Sequence, residues 1–502
     1  MNQRDRQWKT LQSTPEWDVV VIGGGASGLG VAVHAAASGL KTVLIEREDF
    51  AKGTSGKSTK LIHGGVRYLQ QGNIKLVREA LRERGLLMKN APHLVNDMKF
   101  VIPTYRWWTR LYYGIGLKVY DRLAGKLGLG KSHFHTASET VDFLPGIKNR
   151  GLRGGVSYHD GQFDDAHLAL SMVQTALHHG ATVVNHCAVI GLIKKGKSVV
   201  GVQVQDGMGG SSHALRARFV VNATGAFSDA ILQMDRPRHK PIIRLSQGIH
   251  LVVDRKFFPS DTALLIPKTD DGRILFAVPW HGKVILGTTD TPIDEVSSEP
   301  VPMDAEIDFI LHHMQRYLSE APKREDVLSA FAGIRPLVRL SDKKTSELAR
   351  DHVIRVGRSG MISVLGGKWT TYRKMAADVM RKIESRSSAP IRLADTRMLR
   401  MVDAGNPRRF ASMEGLTEDE VRLWIAAEVE QSLCMTVDDF LSRRTRQLLL
   451  NARVASERAP FVAACLAELL GRDAAWQKEQ VESFQSLVLN YLPQSTSQPV
   501  HP

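Results

Sequence analysis

The chain has 502 residues, 43% hydrophobic and 24% charged, a globular composition long enough for two or three domains with large buried cores. Its three cysteines, Cys187, Cys434 and Cys465, form no CxxC pair, which excludes a disulfide scaffold and a cysteine-rich metal site and fits a reducing compartment. A net charge of +15 suits an anionic substrate, an anionic membrane surface or nucleic acid without choosing among them. The first residues are polar, unlike a signal peptide, and no apolar run approaches the ~20 residues of a membrane span, so any membrane contact is expected to be peripheral.

In chain order, the first strong signal is Asp18-Val-Val-Val-Ile22, Gly23-Gly-Gly25-Ala26-Ser27-Gly28, an alanine-rich helix, and Lys41-Thr-Val-Leu-Ile-Glu46. It reads as strand, tight turn, helix and second parallel strand. Gly23 permits the turn, Gly25 lets the backbone approach a pyrophosphate, Gly28 lets the helix lie close on the strand, and the helix N-terminus offers N–H groups to phosphates. Glu46 ends the second strand where a carboxylate accepts ribose hydroxyls, which favours FAD or NAD over NADP. The stretch that follows, Thr54-Ser55-Gly-Lys57-Ser58-Thr59-Lys-Leu61-Ile-His63-Gly64-Gly65-Val-Arg67-Tyr68, starts just past a strand end. That position, rather than its composition, marks it as a loop that wraps a cofactor; by composition alone it is an ordinary polar turn.

Residues 73–90 have helical apolar spacing and read as a scaffold helix. Within 102–130, aromatic and basic residues from Arg106-Trp107-Trp108 to Lys126 accompany a single acid, Asp121. This suits the interface of an anionic bilayer, and equally a buried aromatic helix with basic ends. Asp164 or Asp165 is placed to cap a helix over 166–179. Strands are expected at 182–185 and 198–205, and again at 217–222, where Asn222-Ala-Thr224-Gly225 offers a second close backbone approach. From 244 to 330 short strands between Gly, Pro and charged turns suggest an antiparallel sheet flooring a substrate cavity. Ala332-Gly333-Ile-Arg335-Pro336 and Gly366-Gly367-Lys368-Trp-Thr370 resume the nucleotide-binding pattern, the latter opening a helix toward the cofactor. Residues 385–390 read as a linker and 417–470 as a charged helical module without a catalytic constellation. The Pro493–Pro499 tail is expected to be disordered.

The motifs Gly23-x-Gly25-x-x-Gly28, Ser58-Thr-Lys-Leu-Ile-His63-Gly-Gly-Val-Arg67-Tyr68, Gly287-Thr-Thr-Asp290, Gly333-Ile-Arg335-Pro336, Gly366-Gly-Lys368-x-Thr-Thr-Tyr372 and Val437-Asp-Asp-Phe-Leu-x-Arg-Arg-Thr445 together resemble the FAD-dependent respiratory glycerol-3-phosphate dehydrogenases, from about Trp17 to Leu470. The resemblance implies an α/β Rossmann-like FAD-binding fold of the D-amino-acid-oxidase type, with a discontinuous FAD domain (17–75, 155–243, 331–384), a cap (76–154, 244–330) and a C-terminal helical domain (391–490); the ends (1–16, 491–502) lie outside it and are expected to be flexible. It implies oxidation of sn-glycerol 3-phosphate to dihydroxyacetone phosphate with electrons passed to a membrane quinone, and a peripheral place on the cytoplasmic side of the inner membrane. Dispersed Lys and Arg without a zinc-knuckle or RRM-type signature argue against a nucleic-acid partner, and the oligomeric state is left open, a homodimer included. One departure stands out: Gly56-Lys57 occupies a place where the family usually has serine, and no role follows for Lys57.

The expected cofactor contacts are Gly23, Gly25, Ala26, Ser27, Gly28, Glu46, Arg47, Thr54, Ser55, Ser58, Thr59, Leu61, His63, Gly64, Gly65, Val189, Thr224, Gly225, Gly333, Gly367, Lys368 and Thr370, with no metal. Arg335 suits a dianionic phosphate because a guanidinium binds it bidentately; Arg67 could share that load, and Tyr68 could hydrogen-bond the substrate. By resemblance Lys368 lies near substrate and flavin. His63, slightly preferred, and His250 are the candidate bases. A same-fold flavoenzyme acting on an amino acid, and a basic RNA- or membrane-binding flavoprotein, are the rival readings.

Overall fold

The computed structural model describes residues 1–66, 69, 72–339, 352–403 and 413–493. The apolar strand Trp17–Ile22 lies inside a parallel sheet, between Ser212–Asn222 on one side and Thr42–Ile45 on the other, with Ile362–Leu365 and Thr182–Val184 extending it in parallel. Burial on both faces explains its unbroken valine-rich sequence. The helix Ala26–Ala37 covers one face and packs on the helices Asp165–His178 and Tyr372–Glu384. Close approach there depends on Gly30, where a Cβ would lie 3.0 Å from the Tyr372 ring. A meander of Cys187–Lys195, Ser198–Asp206 and Ser212–Asn222 branches from the sheet at the first half of the last of these strands, an interior one; the strand Cys187–Lys195 was not expected.

A second, mixed sheet is built on the long antiparallel pair Ile243–Asp254 and Val327–Val338. Period-two alternation gives this pair two different faces. Ile249, Leu251 and Val253 point into a core shared with Ile307, Ile310 and Met314 of the helix Asp304–Tyr317. Val252 and Phe331, on the other face, meet the C-terminal helices Glu418–Gln431, Ala452–Leu470 and Ala474–Leu489, so that module packs directly on the sheet.

Sheet membership cuts across the domain ranges expected from sequence. Gly154–Phe163, Leu61–Ile62 and Val327–Val338, all assigned from sequence wholly or partly to the dinucleotide domain, pair within the mixed sheet. Each has strand-forming side chains, and which sheet a strand joins is set by its partners, not by its own pattern. Residues 1–16 are not a loose end: Gln3–Ser13 is a helix capped by Asn2, with Arg4 buried against Asp206 and the Asn185 carbonyl. At the other end Tyr491 is buried and its carbonyl accepts the Ala330 N–H at 2.7 Å; the tail from 494 lies outside the described residues. Asp164 is the cap of Asp165–His178, accepting from the His167 N–H at 3.0 Å.

Candidate active site

One cavity runs from the Gly23 turn to the floor of the mixed sheet. Its first wall is the turn itself. Gly23 has φ +107°, and a Cβ there would lie 2.7 Å from the Ala223 carbonyl oxygen, so only glycine fits. Gly25, Ala26 and Ser27 line the cavity at the N-terminus of Ala26–Ala37, which no side chain caps at Gly25. Gly28 does not line it: a Cβ there would lie 1.9 Å from the Gly23 carbonyl oxygen, so this glycine serves the turn from behind.

Glu46 and Arg47 follow at the end of the second strand. The Glu46 carboxylate accepts the Gly24 N–H at 2.6 Å and the Glu48 N–H at 2.9 Å, and burial pushes its carboxyl up. Arg47 lies 4.6 Å over the Phe227 ring, which also faces the cavity. Val189, Thr224 and Gly225 complete this end.

The loop after the second strand forms the middle. Ser55 accepts the Ala26 N–H at 3.0 Å, Thr54 donates to the Ile334 carbonyl, and Ser58 donates to Asp165 at 2.6 Å. Thr59 meets His250 Nε2 at 2.8 Å. Leu61 and His63 also line the cavity, as do Gly367, Lys368 and Thr370, the last donating to the His63 carbonyl at 3.3 Å. Helix Tyr372–Glu384 is entered through a 3-10 turn, Trp369–Thr371, and its N-terminus is set back behind Lys368. Gly64 and Gly65 turn away from the cavity: the Gly64 N–H donates to the buried Asp160, and its missing side chain makes room for Tyr120 and Leu81. Arg67 and Tyr68 lie outside the described residues.

The floor comes from the paired strands. Ser246, Gly248 and His250 register with Arg335, Gly333 and Phe331 across the ladder, which puts all six on one face. Gly248 was missed from the sequence, although a glycine inside an apolar strand signals close backbone approach. A Cβ at Gly248 would lie 2.3 Å from Arg335 Nη2. Arg335 is aimed by the Gly287–Asp290 segment, donating to the Thr289 carbonyl at 3.0 Å, to Asp290 at 3.2 Å and to the Thr288 hydroxyl at 3.1 Å. His250 is buried and stacked on Phe331 with centroids 5.0 Å apart. Desolvation first, then Lys60 and Arg335, hold its imidazole well below the usual histidine range, so the ring is neutral near pH 7. Its Nδ1 is buried without a hydrogen-bond partner.

Lys57 and Ser298 also line the cavity and were given no role from sequence. The Lys57 ammonium pairs with Glu299, which accepts the Tyr491 hydroxyl at 2.6 Å, joining the loop after the second strand, the loop before Asp304–Tyr317 and the segment around Tyr491. Away from the cavity, Asp49, His186 and Asp439 converge closely enough to bind a cation, but Arg443 and Arg444 supply the positive charge there, pairing with Asp49.

A glycine turn at a helix N-terminus, an acid at the end of the second strand and an arginine on a facing sheet define an FAD-dependent oxidoreductase, and residues 18–373 match the family model for FAD-dependent oxidoreductases (DAO). The chain is 38% identical to the mitochondrial glycerol-3-phosphate dehydrogenases of mouse and human, covering 95% and 96% of this chain and 73% and 74% of theirs. It belongs to the FAD-dependent glycerol-3-phosphate dehydrogenase family. Among solved structures, glycerol-3-phosphate dehydrogenase from Bacillus halodurans complexed with FAD aligns with TM-score 0.80 and 27% identity, covering 100% of this chain and 99% of that one. The L-alpha-glycerophosphate oxidase of Mycoplasma pneumoniae shares the fold at TM-score 0.59 and 15% identity, covering 78% of this chain and all of that one.

Proposed function

We propose that this chain oxidises sn-glycerol 3-phosphate to dihydroxyacetone phosphate with FAD held in the cavity. The observation that carries the reading is the floor: a neutral imidazole and a fixed guanidinium on one strand face, open to a cavity that begins at a phosphate-binding turn. The Gly23–Ser27 turn and the helix behind it fit the pyrophosphate, Glu46 the ribose, and Gly248 and Gly333 leave a flat floor for a ring system. Bound FAD supplies a two-electron acceptor for the hydride of C2. Arg335, aimed by Thr288 and Asp290, binds the phosphate, and Lys368 adds positive charge where reduction places negative charge. Arg67 and Tyr68 are kept as further substrate contacts.

His250 takes the proton of the C2 hydroxyl. Sequence put His63 slightly ahead, but strand register sets His250 on the face that carries Arg335, and its neutral state is the one that accepts a proton. Anaerobic glycerol 3-phosphate is expected to bleach the oxidised-flavin absorption of the purified protein. Bleaching by an amino acid instead would transfer the site to the amino-acid oxidases of the same fold.

The acceptor of the electrons is a membrane quinone in this reading, and the protein reaches it from the surface. Among the described residues no helix is long and apolar enough to cross a membrane. The helix Trp107–Ala124 buries Gly114, Leu117 and Tyr120 and turns a second stripe outward: Trp107 is 71% exposed, Leu111 50%, Tyr112 55% and Ile115 63%. The inward face suits the buried reading of this stretch, and the outward face supports the membrane reading proposed here. Tyr113 packs partly inward, whereas the exposed rings and neighbouring Arg106, Lys118 and Arg122 suit an anionic bilayer surface. Each Lys or Arg near such a surface contributes about 1 kcal/mol, which salt screens, while inserted rings resist salt. Replacing Trp107, Trp108, Tyr112 and Ile115 with serine is expected to lower sedimentation with anionic liposomes and to leave dye-linked activity intact. Unchanged sedimentation would remove this helix as the contact.

A further inference from the structure

The C-terminal segment Val437–Thr445 carries a family-like motif that no step above uses, and its last turn ends in Arg446, held at φ +59°. Arg446 is buried and reaches out of its own module to the flavin-side loop. It donates to the Gly56 carbonyl at 3.1 Å and to Asp165 at 2.8 Å. Lys60, fully buried and at φ +62°, donates to the same carbonyl at 2.8 Å and the same carboxylate at 2.6 Å. Asp165 also accepts the Ser58 N–H at 3.0 Å and the Ser58 hydroxyl at 2.6 Å. One carboxylate and two cations thus pin both ends of a five-residue turn whose remaining hydroxyl, that of Thr59, meets His250 at 2.8 Å.

We propose that Lys60 and Arg446 are positioning residues of the reaction: by sharing Asp165 and the Gly56 carbonyl they hold the Gly56–Lys60 turn so that Thr59 is presented to His250. The inference rests on the reading of His250 as base. A surface ion pair could not do this, since solvent would let the long side chains wander; here both cations are shut in, and leaving either carboxylate or carbonyl unmet inside the protein is costly. The charges nearly balance. Asp164 faces Arg446 at 3.4 Å, with His167 at 3.7 Å and His281 at 3.5 Å also upon it.

The same arrangement gives Lys60 a second effect. Its ammonium lies 5.1 Å over the Phe331 ring, whose partner in stacking is His250. Burial first, with Arg446 adding to it against the opposing pull of Asp165 and Asp164, brings Lys60 down to about 8. While charged it keeps His250 neutral, together with Arg335, the other cation facing that ring.

The test compares flavin reduction by glycerol 3-phosphate and FAD binding to the deflavinated protein. Wild type must bleach first; failure there overturns the function, not this inference. In Lys60→Met, loss of a cation facing His250 is expected to move the acid limb of the reduction-rate profile up by about one pH unit. An unmoved limb overturns the electrostatic part. Arg446→Lys keeps the charge but loses the planar fork in which Nη1 is braced on the Ser442 carbonyl at 3.0 Å while Nη2 meets Gly56 and Asp165. It is expected to cut the reduction rate constant about tenfold and weaken FAD binding to the deflavinated protein, with KM for glycerol 3-phosphate nearly unchanged. The Thr59→Val, Arg446→Lys double variant should be no slower than Thr59→Val alone. Additive losses in that double variant, or wild-type rate and FAD affinity in Arg446→Lys, would overturn the positioning role.

Discussion

Arg335→Lys is expected to weaken glycerol 3-phosphate binding by about 1.5–3 kcal/mol, the worth of a hydrogen bond to a charged group, which is roughly a 10- to 150-fold rise in KM. Charge is conserved in this variant, so the loss isolates geometry. Thr288, the Thr289 carbonyl and Asp290 aim the guanidinium, and a planar group with five N–H donors can keep those contacts while it meets a phosphate. Lysine can satisfy Asp290 or the phosphate, but it has no rigid second arm. Steady-state kinetics with a soluble dye acceptor, backed by anaerobic titration, would measure it. Unchanged KM and dissociation constant would move the phosphate site to another cation, Arg67 first.

Asp49→Asn is expected to destabilise the protein by about 3–5 kcal/mol, the cost of breaking a buried ion pair from one side. Asp49 is buried on the dinucleotide side and takes Arg443 and Arg444 from the C-terminal module, with Asn185 donating at 3.0 Å. Removing its charge takes from the enclosed Arg444 its carboxylate partner and leaves Arg443 with only Asp438 and Asp439. Thermal and urea denaturation would show the loss, and adding Arg444→Met should recover part of it, because an apolar replacement no longer needs the partner. No recovery, with full stability in Asp49→Asn, would reduce the cluster to packing. The surrounding groups also set a pH window. Against desolvation, Arg443 holds Asp438 and His186, with Arg443, holds Asp439 below the usual carboxylate range, so their contribution is present above about pH 4, the unfolded value, and is lost as pH falls from there toward the folded value. Asp439 raises His186 against its own desolvation; that contribution is complete below about pH 6.5 and is lost as pH rises through the higher folded value.

Local requirements were legible in the sequence wherever a short segment meets its partner within itself. The turn from Gly23 to Gly28 needs glycines because its own backbone atoms would collide with a Cβ, and the strand and helix around it are set by period and composition. The family motifs, read together, carried the cofactor and the substrate class. The helix over 73–90 and the cap at Asp164 belong to the same kind: spacing of 3.6 residues and an N–H three residues on.

What only the tertiary structure decided is which distant segments share a face. Gly154–Phe163 carries no strand signal read from the sequence, and its place in the mixed sheet follows from pairing with Val95–Thr104, a ladder whose register no local pattern contains. His250 and Arg335 are 85 positions apart in sequence and meet because the ladder sets Ser246 opposite Arg335 and His250 opposite Phe331. The aromatic and basic stretch around Trp107 was undecided because composition does not say which side of a helix meets a core; Tyr120 goes in to Asp160 and Trp107 stays out. Arg446, in a module with no chemistry legible of its own, reaches Gly56 across 390 positions, since a long side chain in a buried pocket is directed by the carboxylate it finds there and not by its neighbours in the chain.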